Sequence, residues 1–176
     1  MEINVKLKIR FTNRQFFTTF ALVFCFLALF MICAPIITVH NHKYNDSYTY
    51  NGFEAVFGSA PEIKFSFPIF MTYIGLIVGI VLLFVSYRFK KKVWVIAPLV
   101  TLSVLICCMI SVLYFPDLVN VSSYMYNRIY VLNELYFTLT VWSRMQFAFT
   151  VVASISVVIV LICCFVDIAK HKPMTK

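Results

Sequence analysis

The sequence predicts an all-α membrane protein: a four-helix transmembrane bundle carrying a small cap formed by two loops. Three observations predict it. Hydrophobic residues make up 62% of the chain and charged residues 12%, where a soluble domain is nearer half apolar and a quarter charged. Four uncharged apolar stretches are each long enough to cross a ~30 Å hydrocarbon core. Lys and Arg gather beside alternate ends of those stretches. A water-soluble fold of this size leaves too much surface exposed to hide so many apolar side chains. In lipid only helices and closed barrels satisfy their backbone groups, and four segments cannot close a barrel. The net charge of +8 would suggest nucleic acid in a soluble protein. Here the bases flank membrane segments, so no nucleic-acid partner is expected. The bilayer itself is the expected partner, with a single transmembrane domain over residues 1–176.

The N-terminal segment alternates Ile3, Val5, Leu7, Ile9 and Phe11 with Asn4, Lys6, Lys8 and Arg10. A period of two suits an extended chain. It would lie on an anionic leaflet, at about 1 kcal/mol per base, or add an edge strand to a partner; a plain topology flank is an equally good reading. The first helix is expected over residues 16–39. Its apolar run exceeds the 7–15 residues of a signal-peptide core and no A-x-A site follows, so a retained helix is expected. The second, third and fourth helices are expected over 68–87, 93–115 and 145–166, leaving loops at 40–67 and 116–144.

Small residues mark helix interfaces in lipid, because association there relies on close van der Waals contact. The first helix places Thr18, Ala21, Cys25 and Ala28 on one face. The second contains a GxxxG pattern at Gly75 and Gly79. The third repeats Ser103, Cys107 and Ser111, and the fourth offers Thr150, Ala153, Ser154 and Val157. Packing within one chain accounts for these faces better than self-association does, since each helix has neighbours of its own.

Charge sets the expected orientation. Lys6, Lys8, Arg10 and Arg14, then Arg88, Lys90, Lys91 and Lys92, then Lys170, Lys172 and Lys176 fall on one side; Lys43, Lys64, Arg128 and Arg144 fall on the other. The positive-inside rule puts both termini in the cytosol of a cell membrane. Tyr87, Trp94, Tyr114 and Trp142 sit at helix ends, where aromatic rings prefer the headgroup zone.

The two loops then face outward, and they are rich in aromatics. Tyr44, Tyr48, Tyr50, Tyr124, Tyr126, Tyr130 and Tyr136 lie in them with Phe53, Phe57, Phe65 and Phe67. Disordered segments are poor in such residues, so the loops are expected to fold together. Alternation at residues 48–50 and 64–67 suggests short strands. Asn51 and Gly52 read as a turn, residues 52–58 as a short helical turn, and 129–141 as a strand or a helix. Tyr48, Tyr50, Phe53, Phe57, Tyr124, Tyr126 and Tyr130 form the expected contact surface.

Signals for chemistry are few. Cys25, Cys33, Cys107, Cys108, Cys163 and Cys164 all fall in expected helices and none in the loops. They read as small hydrophobes, with Cys163 and Cys164 placed for palmitate. His40, His42 and Asp46 lack the fourth ligand that structural zinc requires, so neither metal nor cofactor is expected. Asn45 and Asn120 begin glycosylation sequons. The expected spans contain no ionisable relay of the kind pumps and transporters use. Protease and hydrolase motifs are missing.

In architecture alone the arrangement resembles claudin-like four-helix proteins, with internal termini and short outer strands. That family's first-loop tryptophan and paired cysteines are not present, so no residue role carries across. The expectation is a non-enzymatic accessory, scaffold or regulatory subunit that contacts another membrane protein or a second copy of itself. The alternative is an oligomeric channel or a small-solute or lipid transporter component, lined by Thr101, Ser103, Ser111, Thr150, Ser154 and Ser156. An enzyme of lipid headgroups ranks third.

Overall fold

The computed structural model describes residues 13–41, 46–59, 63–88, 93–121 and 135–170. The expectations for the N-terminal alternation, His42, Asn45, Tyr124, Tyr126 and Tyr130 lie outside these residues. In chain order the elements begin with α1 (Asn13–Phe30), a 3-10 turn (Met31–Cys33), β1 (Pro35–Asn41), β2 (Asp46–Asn51), α2 (Gly52–Phe57) and β3 (Ile63–Lys64). They continue with α3 (Phe67–Arg88), α4 (Val93–Leu113), α5 (Phe115–Leu118), β4 (Asn120–Val121), β5 (Leu135–Leu139) and α6 (Val141–Lys170).

Among the described residues, four helices are long and apolar enough to cross a membrane: Arg14–Cys33, Phe67–Ser86, Val95–Leu113 and Val141–Val166. They close a ring in which α1 packs on α6, α6 on α4, α4 on α3 and α3 on α1. Each is apolar on both faces. On α4, Leu105, Cys108 and Val112 point inward while Ile96, Ile106, Ile110 and Leu113 are exposed. Helices that are apolar all round belong in lipid or deep in a core. The inward faces of α1 and α6 are built from small residues, with Thr18, Ala21, Cys25 and Ala28 against Thr150, Ala153, Ser154 and Val157, all buried.

The strands and short helices gather at one end of the bundle, where α1 and α4 finish and α3 and α6 start. Strand β1 is central in a three-stranded antiparallel sheet of order β2-β1-β5. Val39 faces Tyr48 on one side and Phe137 on the other. A second, two-stranded sheet pairs Ile63 with Val121. At the opposite end Arg14 Nη2 donates to the Ser86 carbonyl oxygen at 2.9 Å, tying the start of α1 to the last turn of α3.

Two boundaries correct the sequence reading. The first apolar run, expected as one helix over 16–39, is a helix only to Phe30, with a 3-10 turn to Cys33, and then becomes strand β1. Pro35 carries no N–H and pushes its predecessor out of helical geometry; Ala34 is extended at φ −88°, ψ 157°. Ile36, Ile37, Thr38 and Val39 then supply the β-branched side chains that favour a strand. The fourth helix, expected from residue 145, starts at Val141. Thr140 caps it, its Oγ1 accepting from Ser143 N at 3.4 Å, so Arg144 falls in the first turn instead of a loop. Of the 64–67 alternation only Lys64 is in a strand, β3, and Phe67 already belongs to α3.

Candidate functional site

The cap is fixed to the bundle by hydroxyls that satisfy strand and turn carbonyls. Ser143 Oγ, at the start of α6, donates to the Ile36 carbonyl. Thr140 Oγ1 donates to the Pro35 carbonyl. Ser66 Oγ donates to the Leu118 carbonyl at 2.7 Å, and Ser66 N to the Val56 carbonyl at 2.8 Å. Buried backbone oxygens need such partners, so three short side chains dock β1 and α5 onto the helix ends, and the Ser66 amide docks α2.

Helix α2 is the most tightly specified piece. Asn51 and Glu54 form a reciprocal capping box: Glu54 N donates to Asn51 Oδ1 at 2.9 Å and Asn51 N to Glu54 Oε2 at 2.8 Å. The Asn51–Gly52 pair, expected as a turn, is therefore a helix start. Gly52 lies so close to the 3-10 turn that a Cβ there would stand 2.7 Å from both Ile32 Cα and its carbonyl oxygen. Gly58 ends the helix at φ +95°, a conformation open mainly to glycine. That turn lets the chain reverse through the Ser59–Ile63 bridge and sets Phe65 beside Phe57.

An aromatic chain results. Phe53 stacks on Phe57 at 6.4 Å between ring centroids, and Phe57 meets both Phe65 and Phe70, at 6.4 and 6.1 Å. Phe65 and Phe70 stand 5.6 Å apart. Gly52, Ala55 and Val56 form the buried face of α2, leaving Phe53 and Phe57 on the other face with exposures of 46% and 59%.

The described members of the expected contact surface separate. Tyr48 is 53% exposed on β2 beside exposed Ser47 and Thr49, whereas Tyr50 is buried at 7%. Both tyrosines point to the same side of the strand, two residues apart. Tyr50 pairs with Ile37, close to the bundle, and Tyr48 with Val39, a further step away. The covering of that face runs out between them, so Tyr50 does not belong to an exposed surface.

The GxxxG face of α3 meets α4. A Cβ at Gly75 would stand 2.9 Å from Cys108 Sγ and 3.3 Å from Val104 Cγ1; at Gly79 the nearest atoms are Thr101 Cγ2 at 3.7 Å and Leu105 Cδ2 at 3.9 Å. Ser103, Cys107 and Ser111 stand beside this contact. They line an open groove of ≈340 Å³ between α3 and α4 with Gly75, Met71 and Val104.

Inside the bundle the polar groups mostly answer one another. Thr101, Ser103, Thr150, Ser154 and Ser156 each donate to the carbonyl four residues back on their own helix. Ser154 also reaches Met109 Sδ at 3.5 Å. Tyr73 donates to Gln146 Oε1 at 3.5 Å, while the fully buried Gln146 Nε2 has no partner among the described residues. His40 Nε2 lies 2.9 Å from Thr138 Oγ1 across the sheet. Among the described residues no group of three or more His, Cys, Asp or Glu side chains comes together. All six cysteines are free thiols; Cys163 is half-buried and Cys164 buried.

Sequence reasoning overlooked Gln146, Tyr73, Ser66 and Phe70. A neutral amide inside an apolar run was the available signal for Gln146, since such a group needs an interhelical partner in lipid. Ser66 carried none. Comparison with known protein families, curated proteins and solved structures finds no match to this chain.

Proposed function

We propose that this chain is a multi-pass membrane protein that acts by non-covalent contact, as an accessory, scaffold or regulatory subunit of another membrane protein or of a second copy. The observation that carries the reading is β2. It lies at the edge of a sheet packed on α6, α2 and α5, and its outer residues Ser47, Tyr48 and Thr49 are exposed. Edge strands accept a further strand through backbone hydrogen bonds, and an exposed tyrosine supplies rigid amphipathic contact area. Of the aromatics assigned to the contact surface from sequence, Tyr48 stands on this edge, while Phe53 and Phe57 form a separate apolar patch. The positive-inside rule favours a cell-membrane location with the sheet outside and both termini in the cytosol.

The channel reading is weaker on one specific ground. Hydroxyls already committed to carbonyls of their own helices offer little to an ion or solute that must shed water.

The test is a photo-crosslinking amino acid in place of Tyr48, activated in native membranes. The expected result is one discrete adduct in high yield, a second protein or a dimer, lost when proline replaces Thr49. A bare monomer at every light dose overturns the proposal. External labelling that reaches residue 90 overturns the orientation.

A further inference from the structure

The apolar patch on α2 calls for a different occupant from the β2 edge. Four phenylalanines form it. Phe53, Phe57 and Phe65 are exposed, the last at 44%, and Phe70 joins them as a half-buried neighbour. Ring spacings of 5.6 to 6.4 Å make one continuous surface. Leaving several Phe side chains in water would forgo roughly 1.5–3 kcal/mol each.

The level of the patch along the bundle identifies what covers it. Phe70 belongs to the first turn of α3, within the apolar span Phe67–Ser86. At 1.5 Å per residue it lies only about 4–5 Å inside the end of that span. Phe57 and Phe65 both touch Phe70, with ring centroids 6.1 and 5.6 Å from it, so they lie close to the end of that span. The exposed surface of α3 continues inward from Phe67 through Met71, Ile77 and Val78 without a polar break. The patch is thus contiguous with a surface that lipid covers. Lys64, the neighbour of Phe65 in the chain, is exposed. Tyr48, by contrast, pairs with Val39, about 13 Å of strand beyond Pro35.

We infer that α2 is a lipid-inserted foot: Phe53, Phe57 and Phe65 sit at the acyl–headgroup boundary of one leaflet, beside the entry of α3. The buried face of α2, formed by Gly52, Ala55 and Val56, holds the foot against the bundle. The capping box and the Gly58 reversal fix its pitch. The cap is then held to the bilayer on one side only, leaving the β2 edge on its water-facing part. This inference requires a bilayer around the helices and is independent of any protein partner for β2.

The experiment uses the full chain with Trp94 and Trp142 replaced by phenylalanine, carrying F57W, F53W or Y48W. Each protein is reconstituted in phosphatidylcholine vesicles with or without bromine on the upper acyl carbons. F57W and F53W are expected to lose roughly two-fold in emission in brominated vesicles and to resist aqueous acrylamide, as interfacial rings do. Y48W is expected to show the reverse. The variants that elute as monodisperse species are compared, and either foot position alone decides the outcome. Acrylamide quenching of the foot tryptophans with no bromine effect overturns the inference. Equal bromine quenching at position 48 does so as well, because the whole cap would then lie in lipid.

Discussion

A single methyl group added at each glycine of the GxxxG pair should give opposite results. At Gly75 the new carbon stands 2.9 Å from Cys108 Sγ, whereas non-bonded carbons rest at about 3.5–4.0 Å. One of the groups must move by roughly 0.6 Å or more. The sulfur cannot swing freely, because it is buried and donates to the Thr72 carbonyl at 3.4 Å. Overpacking of this kind costs about 1–3 kcal/mol. The gain from restricting the unfolded chain, ~0.4–1 kcal/mol in water, shrinks here because the unfolded reference in lipid or detergent is already helical. At Gly79 the nearest atoms lie at 3.7 and 3.9 Å, ordinary contact distances. Gly79→Ala should therefore be neutral, or stabilising by a few tenths of a kcal/mol.

The net expectation is a loss of about 1–2 kcal/mol for Gly75→Ala, five- to thirty-fold in the folded-to-unfolded ratio. The assay is unfolding in mixed micelles titrated with a denaturing detergent, followed by circular dichroism. Cys108→Ala supplies the internal control. In the double-mutant cycle with Gly75→Ala it should recover much of the loss, because the sulfur is the clashing atom. Equal costs at Gly75 and Gly79, or no coupling between Gly75 and Cys108, would refute the packing derived from these distances.

Three further substitutions probe the cap. Gly52→Ala should cost more than Gly75→Ala, about 3 kcal/mol or above, since its Cβ would meet the Ile32 backbone, which cannot rotate away; the same detergent titration measures it. Asn51→Ala removes the capping box and should cost ~1 kcal/mol, with faster hydrogen exchange at the amides of residues 53–56 while the four long helices keep theirs. Ser66→Ala leaves the Leu118 carbonyl without the hydroxyl that bonds it. About 1–3 kcal/mol is the expected loss, and Ser66→Thr should restore part of it if the hydroxyl, not the volume, is what matters.

The helices were legible because hydropathy reports the solvent a segment meets, and lipid demands about 20 apolar residues wherever it is crossed. The same property hid the first helix's end. Ile36, Ile37 and Val39 are as apolar as the residues before them, yet they are buried by the sheet and the bundle end. Only Pro35 and the β-branched run marked the change. Which tyrosine is exposed was not legible at all. Tyr48 and Tyr50 share a strand face, yet Tyr48 is exposed and Tyr50 buried although their β1 partners Val39 and Ile37 are both buried; the difference arises at the β2 edge and is a tertiary fact. The stripe Ser103, Cys107 and Ser111 shows the limit of reading helix interfaces from small residues. Periodicity marks a face of a helix but not its rotation toward a neighbour. Val104, Leu105 and Cys108, one step around α4, are what the glycines of α3 approach.

The distribution of polar contacts ties these points together. Within the bundle, most Ser and Thr hydroxyls bond carbonyls of their own helix, with Tyr73–Gln146 and Cys108–Thr72 crossing between helices, so the helices are held together chiefly by shape, through small residues and free thiols. At the sheet end the pattern inverts. Ser66, Thr140 and Ser143 all donate across long stretches of sequence to carbonyls of other elements. Directional bonds specify one geometry, while apolar contact in lipid tolerates sliding because hydrocarbon competes equally for each surface. The chain thus places its geometric specificity where the β2 edge and the α2 phenylalanines must keep a fixed relation to each other. Among the described residues this specificity supports the surface at the sheet end, which is the physical reason to test Tyr48 for a partner first.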